Sequence, residues 1–250
     1  MSQTMASANS PAEALVLVDG LTKRYGRLTA LSGASFTIRT GEVLGLVGPN
    51  GSGKTTLFEC LAGVRPADAG TVRLGGRWLN PRARASHLFY LPDAIAPWPT
   101  ASVGWALDFA LGYFGGPAGE RRAVIDRLGL APLLSSAIGT LSKGQRKRAL
   151  LAVGMLTPQP ILLVDEPFDG LDFRQCREMG AALRAHAAGG RTLFLSIHQM
   201  TDAARVCDRF VLLSGGTIRG EGTIDELATA AGQTPTAGQV NLEDIVLALT

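Results

Sequence analysis

The chain has 250 residues, 46% of them hydrophobic, which is enough apolar material for one large α/β domain with its own core. Its formal net charge is only +3. This small basic excess argues against a protein that binds nucleic acid through a concentrated basic patch.

The N-terminal part of the chain predicts a lead-in followed by β-structure. Residues 1–12 are small and polar, without a basic start and apolar stretch, so we expect a disordered lead-in and no secretory signal. Short β-branched or alternating stretches then predict an antiparallel β-subdomain. These stretches are residues 14–18, 34–38 and 71–74. Residues 42–47 are nearly all apolar and predict a strand buried on both faces, followed by a helix over residues 54–62.

The middle of the chain turns helical and predicts an inserted α-helical subdomain at about residues 94–158. Apolar residues recur there with a period near 3.6, in residues 102–113 and again in residues 120–130. After this insertion, residues 161–164 and 192–196 are typical of buried strands. A helix is predicted between them, over residues 174–186. Such alternation indicates an α/β fold with a mainly parallel sheet that is covered by helices.

The domain defined by these elements is predicted to extend over residues 13–228, and residues 229–250 form a C-terminal tail. Two short helical patterns around residues 233–239 are typical of a linker. No stretch reaches the roughly 18–20 apolar residues needed to cross a bilayer. The cysteines have no paired spacing, which favours a reduced intracellular protein. They are Cys60, Cys176 and Cys207.

A glycine-rich loop follows the first buried strand and precedes a helix. Its pattern, Gly48-x-x-x-x-Gly53-Lys54-Thr55, predicts a P-loop NTPase core that binds ATP, and the alternative is an ordinary glycine-rich turn. Glycines let backbone N–H groups approach phosphates closely. Lys54 would reach the β- and γ-phosphates, and the Thr55 hydroxyl would bind Mg²⁺. The predicted phosphate-binding residues are Gly48, Pro49, Asn50, Gly51, Ser52, Gly53, Lys54, Thr55 and Thr56.

Two carboxylates, Asp165 and Glu166, follow the predicted buried strand at residues 161–164. Because open α/β sheets bind ligands at the carboxyl ends of their strands, we expect both acids to face the phosphate loop. Asp165 would hold Mg²⁺ and Glu166 would polarise the attacking water. The alternative is a pair of acids exposed at the strand end.

A third segment, Leu141-Ser142-Lys143-Gly144-Gln145, opens a helix and is a further candidate phosphate site. The order of phosphate loop, this segment, Asp165-Glu166-Pro167, Gly170-Leu171-Asp172 and a lone His198 after a strand resembles the ATP-binding subunit of an ABC (ATP-binding cassette) transporter, of the exporter-like kind. The resemblance covers about residues 14–228. We call residues 141–145 the signature segment.

The resemblance implies a shared site. Two subunits would pack head to tail around two ATP molecules, so that Ser142, Gly144 and Gln145 of one subunit bind the ATP held by the other. Tyr25 would stack on adenine, with a half-buried structural tyrosine as the alternative. His198 would contact the γ-phosphate next to Glu166, and a purely structural histidine is the alternative.

The same resemblance implies partners and a location. A multi-span membrane permease would supply the membrane part, and the second ATPase subunit would more often be an identical copy than a different chain. The protein would lie in the cytoplasm, on the inner face of the cell membrane. The aromatic residues of the helical subdomain would form part of the groove that receives the permease, or else pack in the subdomain core. They are Trp98, Trp105, Phe109, Tyr113 and Phe114.

Two positions depart from the family pattern. Asp93 stands where the family usually has a glutamine that contacts Mg²⁺ and the reactive water. Either Asp93 replaces that metal contact, or the site is weakened, or Asp93 is a loop acid without a metal role. Lys143 stands where glycine is common, and its side chain could point to solvent.

Two other functions stay open at this stage. One is an ABC ATPase that acts on nucleic acid or ribosomes, although such relatives carry two cassettes or a long coiled coil. The other is a catalytically weak, regulatory half of a heterodimer, which Asp93 leaves possible. With Glu166 and His198 both present, the sequence favours an active ATPase that powers a transporter.

Overall fold

The computed structural model describes residues 14–93, 95–116, 118–233 and 241–249. The predicted lead-in and nearly all of the predicted linker lie outside these residues. Two sheets form the framework, and both were expected from the sequence. The strands of the N-terminal antiparallel sheet, in spatial order, are β2 (Leu28–Arg39), β1 (Ala14–Tyr25), β4 (Ala69–Leu74) and β5 (Arg77–Trp78).

The second sheet is central and mixed. Its strands, in spatial order, are β10 (Thr217–Gly222), β9 (Arg209–Ser214), β3 (Val43–Val47), β8 (Thr192–Ile197), β7 (Ile161–Asp165) and β6 (Leu88–Leu91). All neighbours are parallel except the edge strand β10, which pairs with β9 as a hairpin. Every residue of β3, β7 and β8 is buried, which explains their continuous apolar sequences. The predicted α/β fold is confirmed.

Eight α-helices lie in the described residues. They are α1 (Lys54–Ala62), α2 (Val103–Phe114), α3 (Arg121–Arg127), α4 (Lys143–Met155), α5 (Phe173–Ala188), α6 (Met200–Val206), α7 (Ile224–Ala230) and α8 (Leu242–Leu249). Helices α2, α3 and α4 fall within the predicted helical subdomain, whose boundaries stay a prediction. In the tail, α8 packs with α6 and α7 and buries Ile245 completely.

One apolar cluster lies on each face of the central sheet. The first holds the helical subdomain and α5 against β7 and β8, and the second holds α1 and the antiparallel sheet against β3. Because neighbouring parallel strands run in register, Asp165 at the end of β7 lies beside Ser196 of β8. The phosphate loop follows β3 at this same carboxyl edge, so the packing of two clusters brings distant segments together there.

Candidate nucleotide-binding site

The phosphate loop, residues 48–55, has a backbone shape that requires glycine at two points. A Cβ at Gly48 would lie 2.0 Å from the backbone oxygen of Leu213. Gly53 has a φ of +109°, and a Cβ there would lie 2.6 Å from the backbone oxygen of Ala30. Any side chain at these positions would therefore displace neighbouring backbone, which explains the glycine spacing of the motif.

Neighbouring segments support the loop and leave it suited to an anion. Gly216 N donates to Ser52 O at 3.0 Å, which ties the loop to the β9–β10 turn. Lys54 Nζ is buried and donates to Gly48 O at 2.8 Å and Pro49 O at 3.2 Å. The Ser52 hydroxyl is buried without a hydrogen-bond partner among the described residues. A phosphate would supply the acceptor that this hydroxyl lacks and the negative charge that Lys54 attracts, so the residues fit ATP.

Three hydroxyl groups donate hydrogen bonds to the Asp165 carboxylate. Thr55 Oγ1 donates to Asp165 Oδ2 at 2.8 Å, and Ser196 Oγ donates to the other oxygen. Tyr90 OH donates to Oδ2 at 3.4 Å, and burial together with the nearby Asp165 charge raises the pKa of the Tyr90 phenol. Thr55 and Asp165, predicted as metal ligands, thus lie within hydrogen-bond distance of one another. Their hydroxyl and carboxylate oxygens are the donor types that Mg²⁺ prefers.

Glu166 lies between a cation and a histidine. Its Oε1 is 3.8 Å from Lys54 Nζ, and its Oε2 is 2.6 Å from His198 Nδ1. The backbone of Glu166 is in the left-handed region, with a φ of +49°, and its N–H donates to Ser196 Oγ at 2.9 Å. A non-glycine residue in this conformation is strained and is usually found where function requires it. This geometry aims the Glu166 carboxylate at the phosphate loop.

A cavity of about 650 Å³ brings the predicted residues together. Tyr25 is 38% exposed at its edge, with the Arg65 guanidinium carbon 5.3 Å from the ring centre. Lys23 Nζ lies 5.6 Å from the same ring centre, so a base that stacks here would share the ring with two cations. The predicted residues that line the cavity are Tyr25, Asn50, Gly51, Gly53, Lys54, Thr55, Thr56, Asp93, Asp165 and Glu166. Gly48 and Pro49 line an adjoining cavity with His198, and Ser52, which is buried, lines neither cavity.

The signature segment does not line the cavity. Ser142 is the N-cap of α4: its hydroxyl accepts from Gln145 N at 3.3 Å, and its own N–H donates to Gln145 Oε1 at 3.0 Å. Gly144 is buried, and a Cβ there would lie 2.8 Å from a methyl carbon of Leu171. Within one chain these residues therefore cap and pack a helix. Lys143 does not simply point to solvent, since it pairs with Asp169.

Asp93 reaches the cavity but is paired with a cation. Its Oδ1 lies 2.9 Å from Lys147 Nζ, in α4. The contact is a charge contact, because this buried oxygen accepts no well-aligned hydrogen bond among the described residues. Lys147 Nζ also donates to the backbone oxygen of Glu166.

Sequence reasoning missed three residues of this site, namely Tyr90, Lys147 and Ser196. Ser196 could have been found by aligning the carboxyl ends of the two predicted parallel strands, which places it beside Asp165. Lys147 stood in a run of three basic residues that offered no reason to single it out. Tyr90 lies in a strand whose side-chain directions the sequence did not define.

The geometry agrees with comparisons to known proteins. The family model described as ABC transporter matches residues 31–169. The chain belongs to this family. A Nod factor export ATP-binding protein I of Ralstonia nicotianae is 33% identical over 86% of this chain and 69% of its own. A manganese transport system ATP-binding protein of Synechocystis is 32% identical, over 86% of both chains.

Solved structures agree with this membership. The ATP-binding subunit of an ABC transporter superposes with a TM-score of 0.84 at 25% identity, over 94% of this chain and 99% of that chain. This ABC protein is therefore an ATP-binding and ATP-hydrolysing subunit of a transporter, and ATP-binding subunits of the family work with membrane permease components. Among its described residues, no helix has the length and apolar content to span a membrane.

Proposed function

We propose that the cavity beside the phosphate loop binds ATP together with Mg²⁺, and that Thr55 and Asp165 hold the metal. Their oxygens lie 2.8 Å apart at the mouth of the loop, and the Ser196 hydroxyl fixes the orientation of the Asp165 carboxylate. Asp93 is a third candidate ligand, since it lines the same cavity. When bound, Mg²⁺ neutralises phosphate charge and orients the γ-phosphate for in-line attack.

Glu166 carries the proposed hydrolysis. Its carboxylate would accept a hydrogen bond from the attacking water, and His198, 2.6 Å from Oε2, would hold the carboxylate in place and reach the γ-phosphate. Lys54 would exchange its contacts with the Gly48 and Pro49 carbonyls for phosphate oxygens. The observation that carries this function is the position of Glu166, between the loop lysine and His198.

The ATP site is proposed to be shared between two copies of the chain, packed head to tail. Ser142 is exposed, and the signature segment lies outside the cavity that the chain forms by itself. In the shared site Ser142, Gly144 and Gln145 would bind the ATP held by the other subunit, and Asp172 would lie between the two sites. ATP would favour the closed dimer and hydrolysis would reopen it, which is a population shift.

A row of aromatic rings is the proposed contact with the membrane permease. Trp105, Phe109 and Tyr113 are spaced four residues apart on α2, with successive ring centres 5.1 and 5.5 Å apart. Trp105 and Tyr113 are exposed, so these rings do not form a subdomain core. The row ends at Phe114, which lines a cavity of about 380 Å³ against β6. Trp98 packs at its other end.

This contact would keep the protein in the cytoplasm, on the inner face of the cell membrane, and no nucleic acid is needed for it. Relatives named for Nod factor export favour an exporter-like system. The direction of transport is part of this proposal, since a relative named for sn-glycerol-3-phosphate import also matches the chain.

Substitution of Glu166 by glutamine tests the proposed site and the shared dimer together. Glu166→Gln keeps the size of the side chain but removes the charge that polarises water. We expect ATP turnover to fall by about 10²–10⁴-fold while ATP binding persists. The ATP-bound variant should accumulate as a dimer, measured by size-exclusion chromatography with light scattering, with and without Mg²⁺.

Glu178→Gln is the matched control, because Glu178 makes an exposed ion pair with Arg174 on α5, away from the cavity. This variant should turn over ATP at the wild-type rate. Its molar mass in solution should not increase while it hydrolyses ATP. Wild-type turnover in Glu166→Gln would show that another residue polarises the water. A monomeric, ATP-bound Glu166→Gln would refute the shared site.

A further inference from the structure

Two lysines of α4 form ion pairs with acids in the loops that follow strands β6 and β7. Lys143 and Lys147 are four residues apart and therefore lie on the same face of the helix. Lys143 pairs with Asp169, and Lys147 pairs with Asp93. These acids lie in the loops that follow the two strands, so α4 is tied by charge to the carboxyl edge of the sheet.

The two pairs differ in burial. The side chains of Lys143 and Asp169 are 47% and 36% exposed, whereas those of Lys147 and Asp93 are 12% and 32% exposed, so the difference lies in the lysines. An exposed pair contributes little, because water and salt screen it. Lys147 is a largely buried cation, and a buried charge that loses its partner is strongly unfavourable. The contacts of Lys147 therefore constrain the structure far more than those of Lys143.

Lys147 contacts two groups of the site at once. It lies 2.9 Å from Asp93 Oδ1, and it donates to the backbone oxygen of Glu166. That backbone carries the strained φ of +49°. Because strain of this kind persists only where surrounding contacts enforce it, the bond from Lys147 helps to hold the Glu166 backbone, and with it the direction of the Glu166 carboxylate.

The charge of Lys147 also bears on the cavity. Asp93 and Asp165 both line it, beside Glu166, and this places three carboxylates around the space that phosphates would occupy. Lys147 faces Asp93 from the α4 side and offsets one of these negative charges. A glutamine at position 93 would need no such cation, since an amide is neutral.

We propose that Lys147 is a positioning residue of the ATP site, acting through Asp93 and the Glu166 backbone, and that the Asp93–Lys147 ion pair takes the place of a neutral amide there. This proposal rests on the proposed function, since it concerns the same cavity. It predicts that the two charges compensate each other in the cavity: loss of either one shifts the charge balance, in opposite directions, and loss of both restores it.

Charge alone predicts the direction of each single substitution. Lys147→Gln leaves the Asp93 carboxylate unopposed, which repels metal-free ATP and attracts Mg²⁺. Asp93→Gln leaves Lys147 unopposed, which attracts metal-free ATP and repels Mg²⁺. The useful quantity is the ratio of the dissociation constants of metal-free ATP and of ATP with Mg²⁺. We expect this ratio to rise about threefold to tenfold in Lys147→Gln and to fall by a similar factor in Asp93→Gln.

The experiment measures both dissociation constants by calorimetry, with either EDTA or Mg²⁺, in the Glu166→Gln background so that no ATP is consumed. The double variant Asp93→Gln/Lys147→Gln should return the ratio to within about twofold of the unsubstituted background. Lys147→Arg keeps the charge and should also stay close to that background, so it covers the case in which Lys147→Gln folds poorly.

Arg184→Gln is the matched control. Arg184 makes the same kinds of contact, with the Asp208 carboxylate at 2.6 Å and the Val206 backbone oxygen at 3.0 Å, at the opposite edge of the sheet. The ratio of the two dissociation constants should not change in Arg184→Gln. An unchanged ratio in Lys147→Gln, or a ratio in the double variant that stays more than about twofold from the background, would overturn the role of Lys147. Failure of the unsubstituted background protein to bind ATP would instead refute the proposed function itself.

Discussion

Two helices of this chain begin at short runs of small residues, and they differ in what satisfies their first N–H groups. Helix α1 starts after Gly53, which provides no side-chain cap, and its N-terminus opens into the cavity. Helix α4 starts after Ser142, whose side chain forms a full capping box with Gln145. An anion could therefore meet the first N–H groups of α1, whereas α4 already has a side-chain acceptor for one of its own.

This difference gives the two regions different tasks. The phosphate loop binds ATP, and the signature segment completes the proposed shared site. The phosphate loop can hold ATP within one chain, because residues of the loop, Lys54 and the strand-end acids line a single cavity. The signature segment is built as a stable, exposed helix start. Its residues can meet a phosphate only from outside the chain, as the shared site requires. Changes in the first region should therefore affect ATP binding, and changes in the second should affect turnover.

The largest contrast is expected between two glycine substitutions. Gly48→Ala would place a Cβ 2.0 Å from a backbone oxygen, which cannot move cheaply. We expect it to destabilise the fold by about 3 kcal/mol and to abolish ATP binding. Gly144→Ala meets the end of the flexible Leu171 side chain at 2.8 Å, and alanine favours a helix. It should cost less than about 1 kcal/mol and leave ATP binding intact.

Urea denaturation and calorimetric ATP titration of both variants check this contrast. Equal destabilisation by the two substitutions would mean that backbone contact at the phosphate loop is not the limiting factor. Loss of ATP binding in Gly144→Ala would show that the signature segment contributes to binding within one chain, and would remove the distinction between the two regions.

A second prediction concerns α5, whose Gln175 lies next to Gly144 of the signature segment. Burial lowers the pKa of His186, in the last turn of α5, to about 4, and the nearby cations Arg191 and Arg127 add to this effect. The unfolded chain therefore binds this proton more readily than the folded chain. Stability is fully present above a pH of about 6.5 and falls between about 6.5 and 4, by between about 2 and 3 kcal/mol.

Denaturation curves at pH 8 and pH 5 measure this loss. The difference in unfolding free energy between pH 8 and pH 5 should become smaller in His186→Gln. It should stay unchanged in His87→Gln, at a half-buried position elsewhere. An equal pH dependence in the wild type and His186→Gln would show that other groups cause it.

A smaller effect on stability than that of Gly48→Ala is expected for Ser142→Ala. Loss of the capping hydroxyl should cost about 1 kcal/mol, and the ATP affinity of the isolated chain should not change. Turnover by the dimer should fall nevertheless, because the hydroxyl is lost from the shared site. Thr223→Ala removes the same kind of capping box from α7, so it should match the loss of stability without the loss of turnover. Wild-type turnover in Ser142→Ala would exclude this hydroxyl from the reaction.

The sequence determined those parts of the site that are contiguous in the chain. The spacing of Gly48, Gly53 and Lys54 specified a phosphate loop, because a loop that wraps an anion is formed by local backbone geometry. Asp165 and Glu166 were identified for a similar reason, since an apolar strand that ends in acids points to the carboxyl edge of a parallel sheet. The order of strands and helices likewise gave the α/β class.

Only the tertiary structure decided which distant side chains meet. Ser196 reaches Asp165 through the register of two parallel strands, and Lys147 reaches Asp93 because α4 packs across the ends of β6 and β7. The structure also showed that Ser142 and Gln145 cap their own helix. Such contacts depend on packing between segments far apart in the chain, and composition and periodicity carry no information about the partner that each side chain finds.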